Sequence, residues 1–336
     1  MPTPLHAKDE PVRNSQWHLD FLNVASAHQI TQGDGIVVGV IDTGVDASHP
    51  DLKDSVLPGK DLSRVRDGDG RLDQDGHGTG MAGLIAAHGS ALGIAPKSRI
   101  LPVRSSIGFG APSSLSESID WAVTNGATIL SISQVADNSP DLQAAVNRAL
   151  QANVVVVAGA GNLPDSVGVR YPAAYDGVIA VAGTDRNGLR AAISVMGSPI
   201  VLAAPAVDII STGVNGTYQK GTGTSSATAI VAGAAALVRA KYPALSAKEV
   251  YRRLTLTADD KGAPGRDIEY GFGVLNIVKA LTADIPPLPA SPPPTTAAPS
   301  SPTFPTRTVL IGALVLVLLA AGATITVMAV RRRRVG

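Results

Sequence analysis

The 336-residue chain contains no cysteine. That removes disulfides, Cys-ligated zinc, iron–sulfur centres and thiol nucleophiles together. Charge is also scarce: Asp, Glu, Lys and Arg make up 16% of the residues, against roughly 25% in an ordinary soluble domain. No basic stripe runs along the chain. With the four terminal arginines set aside, residues 1–308 hold 24 basic and 27 acidic groups, a net of −3. A mildly acidic body of this kind excludes nucleic acid as the expected partner. No internal repeat of 20–50 residues is present. Residues 1–30 also lack an apolar run long enough for an export signal, which leads us to expect such a signal upstream.

What is present divides by composition. Residues 1–35 form an N-terminal extension, and residues 36–285 mix apolar β-rich runs with helical patterns. Residues 286–308 carry Pro286, Pro287, Pro289, Pro292, Pro293, Pro294, Pro299, Pro302 and Pro305 among Ser, Thr and Ala. Such a segment reads as an extended, solvated linker. Val309 to Val330 follow, 22 residues without a charge. As a helix they would span roughly 33 Å, enough to cross a bilayer. Arg331–Arg334 lie beyond them, and Arg307 stands alone on the near side. Positive charge stays cytoplasmic, so the expected topology is a single plasma-membrane span, with the body outside and residues 331–336 as a basic cytoplasmic tail.

Within the body, nearly all-apolar runs recur at 36–41, 100–103, 128–132, 154–157, 178–181 and 200–203. Strands buried on both faces of a parallel sheet have this composition. Helical patterns lie between them, near 114–124, 141–151 and 226–241. The alternation predicts an α/β fold with a doubly wound, mostly parallel sheet, whose sites form at the carboxyl ends of its strands.

Four residues stand where such a sheet would put chemistry. Asp42 follows the first run in V-I-D-T-G-V-D, and Gly44 lets the chain turn sharply after it. His77 lies between glycines in D-G-H-G-T-G-M-A-G, before a small-residue helix starting near Thr79. The other histidines, at 6, 18, 28, 49 and 88, lack this setting and read as surface or structural. Ser225, in G-T-G-T-S-S-A-T-A, precedes a long helix of small and aliphatic residues, where backbone N–H groups and the helix dipole favour a nucleophile and an oxyanion. Asn162 ends A-G-A-G-N, where a side-chain amide can donate to a developing oxyanion. Each residue alone also fits an ordinary turn or cap.

Taken together, in the order Asp, His, Asn, Ser, and with the segments H-P-D-L (49–52), A-P-K-S-R-I-L-P-V (95–103) and Y-P-A-A-Y (171–175), the chain resembles the subtilisin-like serine proteases over about residues 17–283. The resemblance implies a subtilisin-like fold and peptide-bond hydrolysis through an acyl-enzyme; the residues themselves lead us to expect no cofactor and no metal. It implies Ser225 as nucleophile, His77 as general base and then acid, and Asp42 as the carboxylate that holds the imidazole. Asn162 and the Ser225 N–H would form the oxyanion hole, and Ser133 and Gly159 would line the substrate cleft. A subtilase followed by a proline-rich linker, one span and a short basic tail is most similar to the mycosins, the membrane-anchored subtilases of type VII secretion in actinobacteria. The implied partners are a polypeptide substrate, the membrane and a type VII secretion complex. A scaffold with a vestigial triad and a general degradative subtilase are the alternative functions.

The chain departs from the family in two places. Proline is usual four residues after the nucleophile, where Ala229 stands, and the family's Ser-Leu-Gly-Gly cleft wall is here Ser133-Gln134-Val135-Ala136. Val135 is expected to narrow the pocket. Disulfides of the mycosin type cannot form without cysteine. Asp67, Asp69, Asp73 and Asp75 lack an EF-hand register and read as a solvated acidic loop ahead of His77.

Overall fold

A computed structural model describes residues 3–5, 12–65, 67–107, 115–286 and 288. The linker beyond Pro286, the apolar run 309–330 and the basic tail lie outside these, apart from Leu288. Among the described residues no helix is long and apolar enough to cross a membrane. The compact unit runs from Met1 to Pro287.

In chain order its elements are β1 (Thr3–Leu5), α1 (Trp17–Phe21), α2 (Val24–His28), β2 (Val37–Asp42), β3 (Lys60–Asp61), α3 (His77–Ala86), β4 (Arg99–Arg104) and α4 (Leu115–Thr124). There follow β5 (Ile129–Ile132), α5 (Pro140–Gln151), β6 (Val155–Gly159), β7 (Ile179–Thr184), β8 (Leu202–Pro205), β9 (Ile209–Thr212) and β10 (Tyr218–Gly221). The unit closes with α6 (Thr224–Lys241), α7 (Ala247–Leu256) and α8 (Ile277–Thr282).

Seven strands form one sheet in the order β3-β4-β2-β5-β6-β7-β8, and every pairing in it is parallel. All six apolar runs are strands of this sheet. β3 has no such pattern; its Asp61 is held instead by the buried guanidinium of Arg104 at 3.1 Å. A second, antiparallel sheet joins β1, β10 and β9. The polar strand β10 (Tyr218-Gln219-Lys220-Gly221) gives no alternating hydrophobic signal in the sequence.

The chain starts the large sheet at β2, builds outward through β4 on one side, then returns to β5 on the other. This reversal is the switch point at which open α/β sheets leave a crevice beyond their carboxyl ends. Helices α3 and α6 pack together on one face, and α4 and α5 together on the other. Helix α6 is buried along nearly its whole length from Ser226 to Arg239, as expected of a helix apolar on all sides. Leu19, Leu22, Val24 and Ala27 of the N-terminal extension join the main core.

Two helix starts differ from the sequence expectation. Helix α3 begins at His77 rather than near Thr79, because Gly76 (φ +97°) serves as its N-cap. Helix α6 begins at Thr224, so Ser225 sits inside the first turn instead of ahead of it. The helix continues unbroken through Ala229.

Candidate active site

Asp42 is the last residue of β2, which places its carboxylate at the sheet's carboxyl edge. The chain then turns at Gly44 (φ +100°), where an added Cβ would lie 2.2 Å from Leu72 O. The Asp42 side chain is buried, 1% exposed, and its Oδ1 accepts two hydrogen bonds, from Thr43 N at 2.8 Å and His77 Nδ1 at 2.7 Å. Its Oδ2 is buried without a hydrogen-bond partner among the described residues.

His77 opens α3, and glycine is required beside it: a Cβ on Gly78 would come within 2.1 Å of Gly44 O. The loop ahead of it is built around Asp73. Oδ1 of Asp73 accepts from Thr43 Oγ1, Asp75 N and Gly76 N, each at 3.0 Å. Oδ2 accepts from Thr79 N at 2.9 Å and Thr79 Oγ1 at 2.7 Å. Thr43 Oγ1 in turn accepts from Gly78 N at 2.9 Å. Asp73 is therefore a buried organiser of the His77 loop, and the expectation of a uniformly solvated acidic loop is corrected for this residue. A carboxylate that satisfies several orphan N–H groups of a helix start is stable in the interior where an unpartnered one is not. Its pKa is raised by burial. From the other side, Gln219 of β10 donates to Gly76 O at 2.6 Å and to Thr212 O at 3.0 Å.

The pKa of His77 is raised above the ordinary histidine value. Burial is the largest influence and favours the neutral ring. The charge and hydrogen bond of Asp42, together with Asp75 and Asp73, outweigh it.

Ser225 is the second residue of α6, where N–H groups lack intrahelical acceptors. Its Oγ makes a long hydrogen bond to Ser133 O at 3.5 Å, and Ser133 Oγ donates to Ser225 O at 3.3 Å. Asn162 follows β6 and accepts from Thr224 N at 2.9 Å through Oδ1. That bond fixes which end of the amide is oxygen and leaves the NH₂ as the end free to donate.

Asp42, His77, Asn162 and Ser225 line one cleft of about 400 Å³, with Ser133 and Gly159 in its walls. His77, Asn162 and Ser225 also line an adjoining cleft of about 380 Å³. All six residues expected from the sequence thus meet at one place. Val135 lines the first cleft. Gln134 is clamped to the segment after β4: Ser105 Oγ donates to its Oε1 at 2.5 Å, and its Nε2 donates to Ser106 Oγ at 2.6 Å. Sequence reasoning missed Asp73, Thr43, Gln219 and Arg170. For Asp73 a signal existed in the spacing, since Thr79 follows His77 by two residues and Asp73 precedes it by four.

A buried carboxylate on an imidazole, a serine on a helix N-terminus and an available amide are the parts that serine hydrolases use. Residues 33–273 match the Subtilase family (Peptidase S8), and the chain belongs to that family. It is a subtilisin-like serine protease. Subtilisin DY of Bacillus licheniformis is 40% identical over 258 residues, covering 74% of this chain and 92% of its own length. The thermostable alkaline protease of Halalkalibacterium halodurans is 38% identical over 271 residues, 79% of this chain and 73% of that protein. Among solved structures the chain is similar to MycP1 from Mycobacterium smegmatis, with a TM-score of 0.75 at 29% identity, covering 87% of this chain and 92% of that one. It is also similar to the MycP3 protease from the type VII (ESX-3) secretion system, with a TM-score of 0.73 at 30% identity, covering 84% and 92%. Mycosins are thus among its structural neighbours.

Proposed function

We propose that the chain is an endopeptidase that works by acyl transfer through Asp42, His77 and Ser225. Ser225 Oγ attacks the scissile carbonyl while His77 Nε2 takes its proton, then returns it to the leaving amine. Asp42 Oδ1 keeps the other ring nitrogen protonated and stabilises the imidazolium. The Asn162 amide and the Ser225 N–H receive the oxyanion. The observation that carries this reading is the 2.7 Å Asp42–His77 bond opening on the same cleft as Ser225 and Asn162. Ser133 and Gly159 form walls against which a substrate strand lies.

The protease body is held outside the plasma membrane by the proline-rich linker, a span at 309–330 and the cytoplasmic arginines. The likeness to MycP1 from the ESX-1 type VII secretion system and to MycP3 from the type VII (ESX-3) secretion system supports a role in that export route. The test is hydrolysis of an unstructured polypeptide by the wild-type chain and Ser225→Ala. A loss of about 10⁶ in turnover supports the reading, and near wild-type hydrolysis by the alanine variant refutes it. Type VII export measured in a strain lacking the gene separates a secretion role from general degradation.

A further inference from the structure

Apart from His77, Arg170 is the only basic side chain among the described residues lining the cleft beside Ser225. Its backbone is fixed to the β6 wall, with its N–H donating to Ala160 O at 3.1 Å. The neighbouring Tyr171 ties that wall to the other, accepting from Ala136 N at 2.8 Å. The Arg170 stem passes Gly161, where an added Cβ would lie 3.6 Å from Arg170 Cγ. The guanidinium therefore reaches from the β6 side to Asp137 on the other, in the cleft that Ser133, Val135 and Gly159 also line.

Its Nη2 donates to Asp137 Oδ1 at 2.7 Å. That bond uses one of five donors, and Arg170 takes no other side-chain partner among the described residues. The Asp137 side chain is 96% exposed and the Arg170 side chain 35%. An ion pair so open to water is weak. Asp137 thus holds the place of a carboxylate without closing the site. Asp165 and Asp75 also border the cleft, Asp165 from an exposed position where water screens it and Asp75 on the His77 side, where its Oδ1 accepts from His77 N at 3.2 Å.

We propose that Arg170 is the specificity-determining residue of this cleft, which selects polypeptides with a Glu or Asp side chain on the residue that supplies the scissile carbonyl. The proposal rests on the proteolytic reading above. An incoming carboxylate joins or displaces Asp137 on the planar guanidinium fork, a geometry that ammonium and apolar side chains cannot match.

The test uses the full chain and matched peptides with Glu, Gln or Lys at that residue. The expected kcat/KM order is Glu over Gln over Lys, with Glu ahead of Gln by about tenfold or more. Arg170→Ala brings the Glu-to-Gln ratio to within about twofold of one. Asp137→Asn, which frees the fork and does not depend on the alanine variant folding, raises that ratio. Raising the salt concentration lowers it in the wild type. A wild-type preference for Lys, or a ratio unmoved by both substitutions, overturns the proposal while leaving proteolysis intact. Absence of hydrolysis of every peptide, with no fluorophosphonate adduct on Ser225, overturns the proteolytic reading and this proposal with it.

Discussion

Replacing Asp42 by asparagine separates the two tasks of this side chain. Among the described residues, the donors that reach it, Thr43 N and His77 Nδ1, converge on Oδ1, and Oδ2 has no partner. An asparagine placed with its carbonyl on Oδ1 keeps both hydrogen bonds, and its NH₂ occupies the unpartnered Oδ2 position. The imidazole tautomer is thereby retained and only the charge is lost. A charge about 4 Å from the imidazolium contributes about 4 kcal/mol at an effective dielectric of 20. The expected loss in kcat is therefore about 10³-fold, with KM nearly unchanged. Asp42→Ala removes the acceptor as well and falls further.

The pH profile moves too. His77 acts as a base when neutral, and its raised pKa places the acid limb of kcat/KM above the ordinary histidine value. Without the Asp42 charge, burial dominates and the limb moves to lower pH. The raised pKa also stabilises the fold fully below the unfolded value of 6.5, and that contribution fades as pH rises through the folded value. Steady-state kinetics across pH on the wild type and both variants test this. Equal losses in Asn and Ala variants, or an acid limb that stays in place, refute the reasoning.

Asn162→Ala is expected to lower kcat by about 10² to 10³ with little change in KM, because one oxyanion donor is lost; an effect confined to KM contradicts the assignment. Asp73→Ala leaves Thr79 Oγ1 and several N–H groups of the His77 loop without their acceptor. It should destabilise the fold by several kcal/mol, at the upper end for breaking a buried network, as read by urea unfolding. His18 is fully buried, has no partner at either ring nitrogen among the described residues, and burial lowers its pKa to about 3 from 6.5. The unfolded chain alone takes up that proton, so this residue weakens folding by about 2 kcal/mol as pH falls from 7 to 5. His18→Phe should remove that part of the pH dependence, and a variant with the wild-type slope counts against it.

The large sheet was legible because its strands are buried on both faces and therefore nearly all apolar, as in Val155–Gly159. Asp42, His77, Asn162 and Ser225 were legible because each stands where a strand or glycine turn hands over to the next element. The parts that escaped notice owe their places to tertiary partners. Lys60–Asp61 pairs as a strand beside a buried arginine, and Tyr218–Gly221 is a polar strand with no periodic signal. Asp73 reads as one more acidic residue until its five donors are placed around it. Arg170 is an unremarked residue before Tyr171-Pro172 until folding brings it opposite Asp137.

Covalent labelling is the most direct measurement. The chain is treated with a fluorophosphonate and the modified residue located by peptide mass spectrometry. Stoichiometric modification of Ser225, abolished by Ser225→Ala and sharply slowed by His77→Ala, is the predicted result. Modification of Ser226 or Ser133 instead, or equal rates with and without the His77 imidazole, would contradict a nucleophile activated at this cleft.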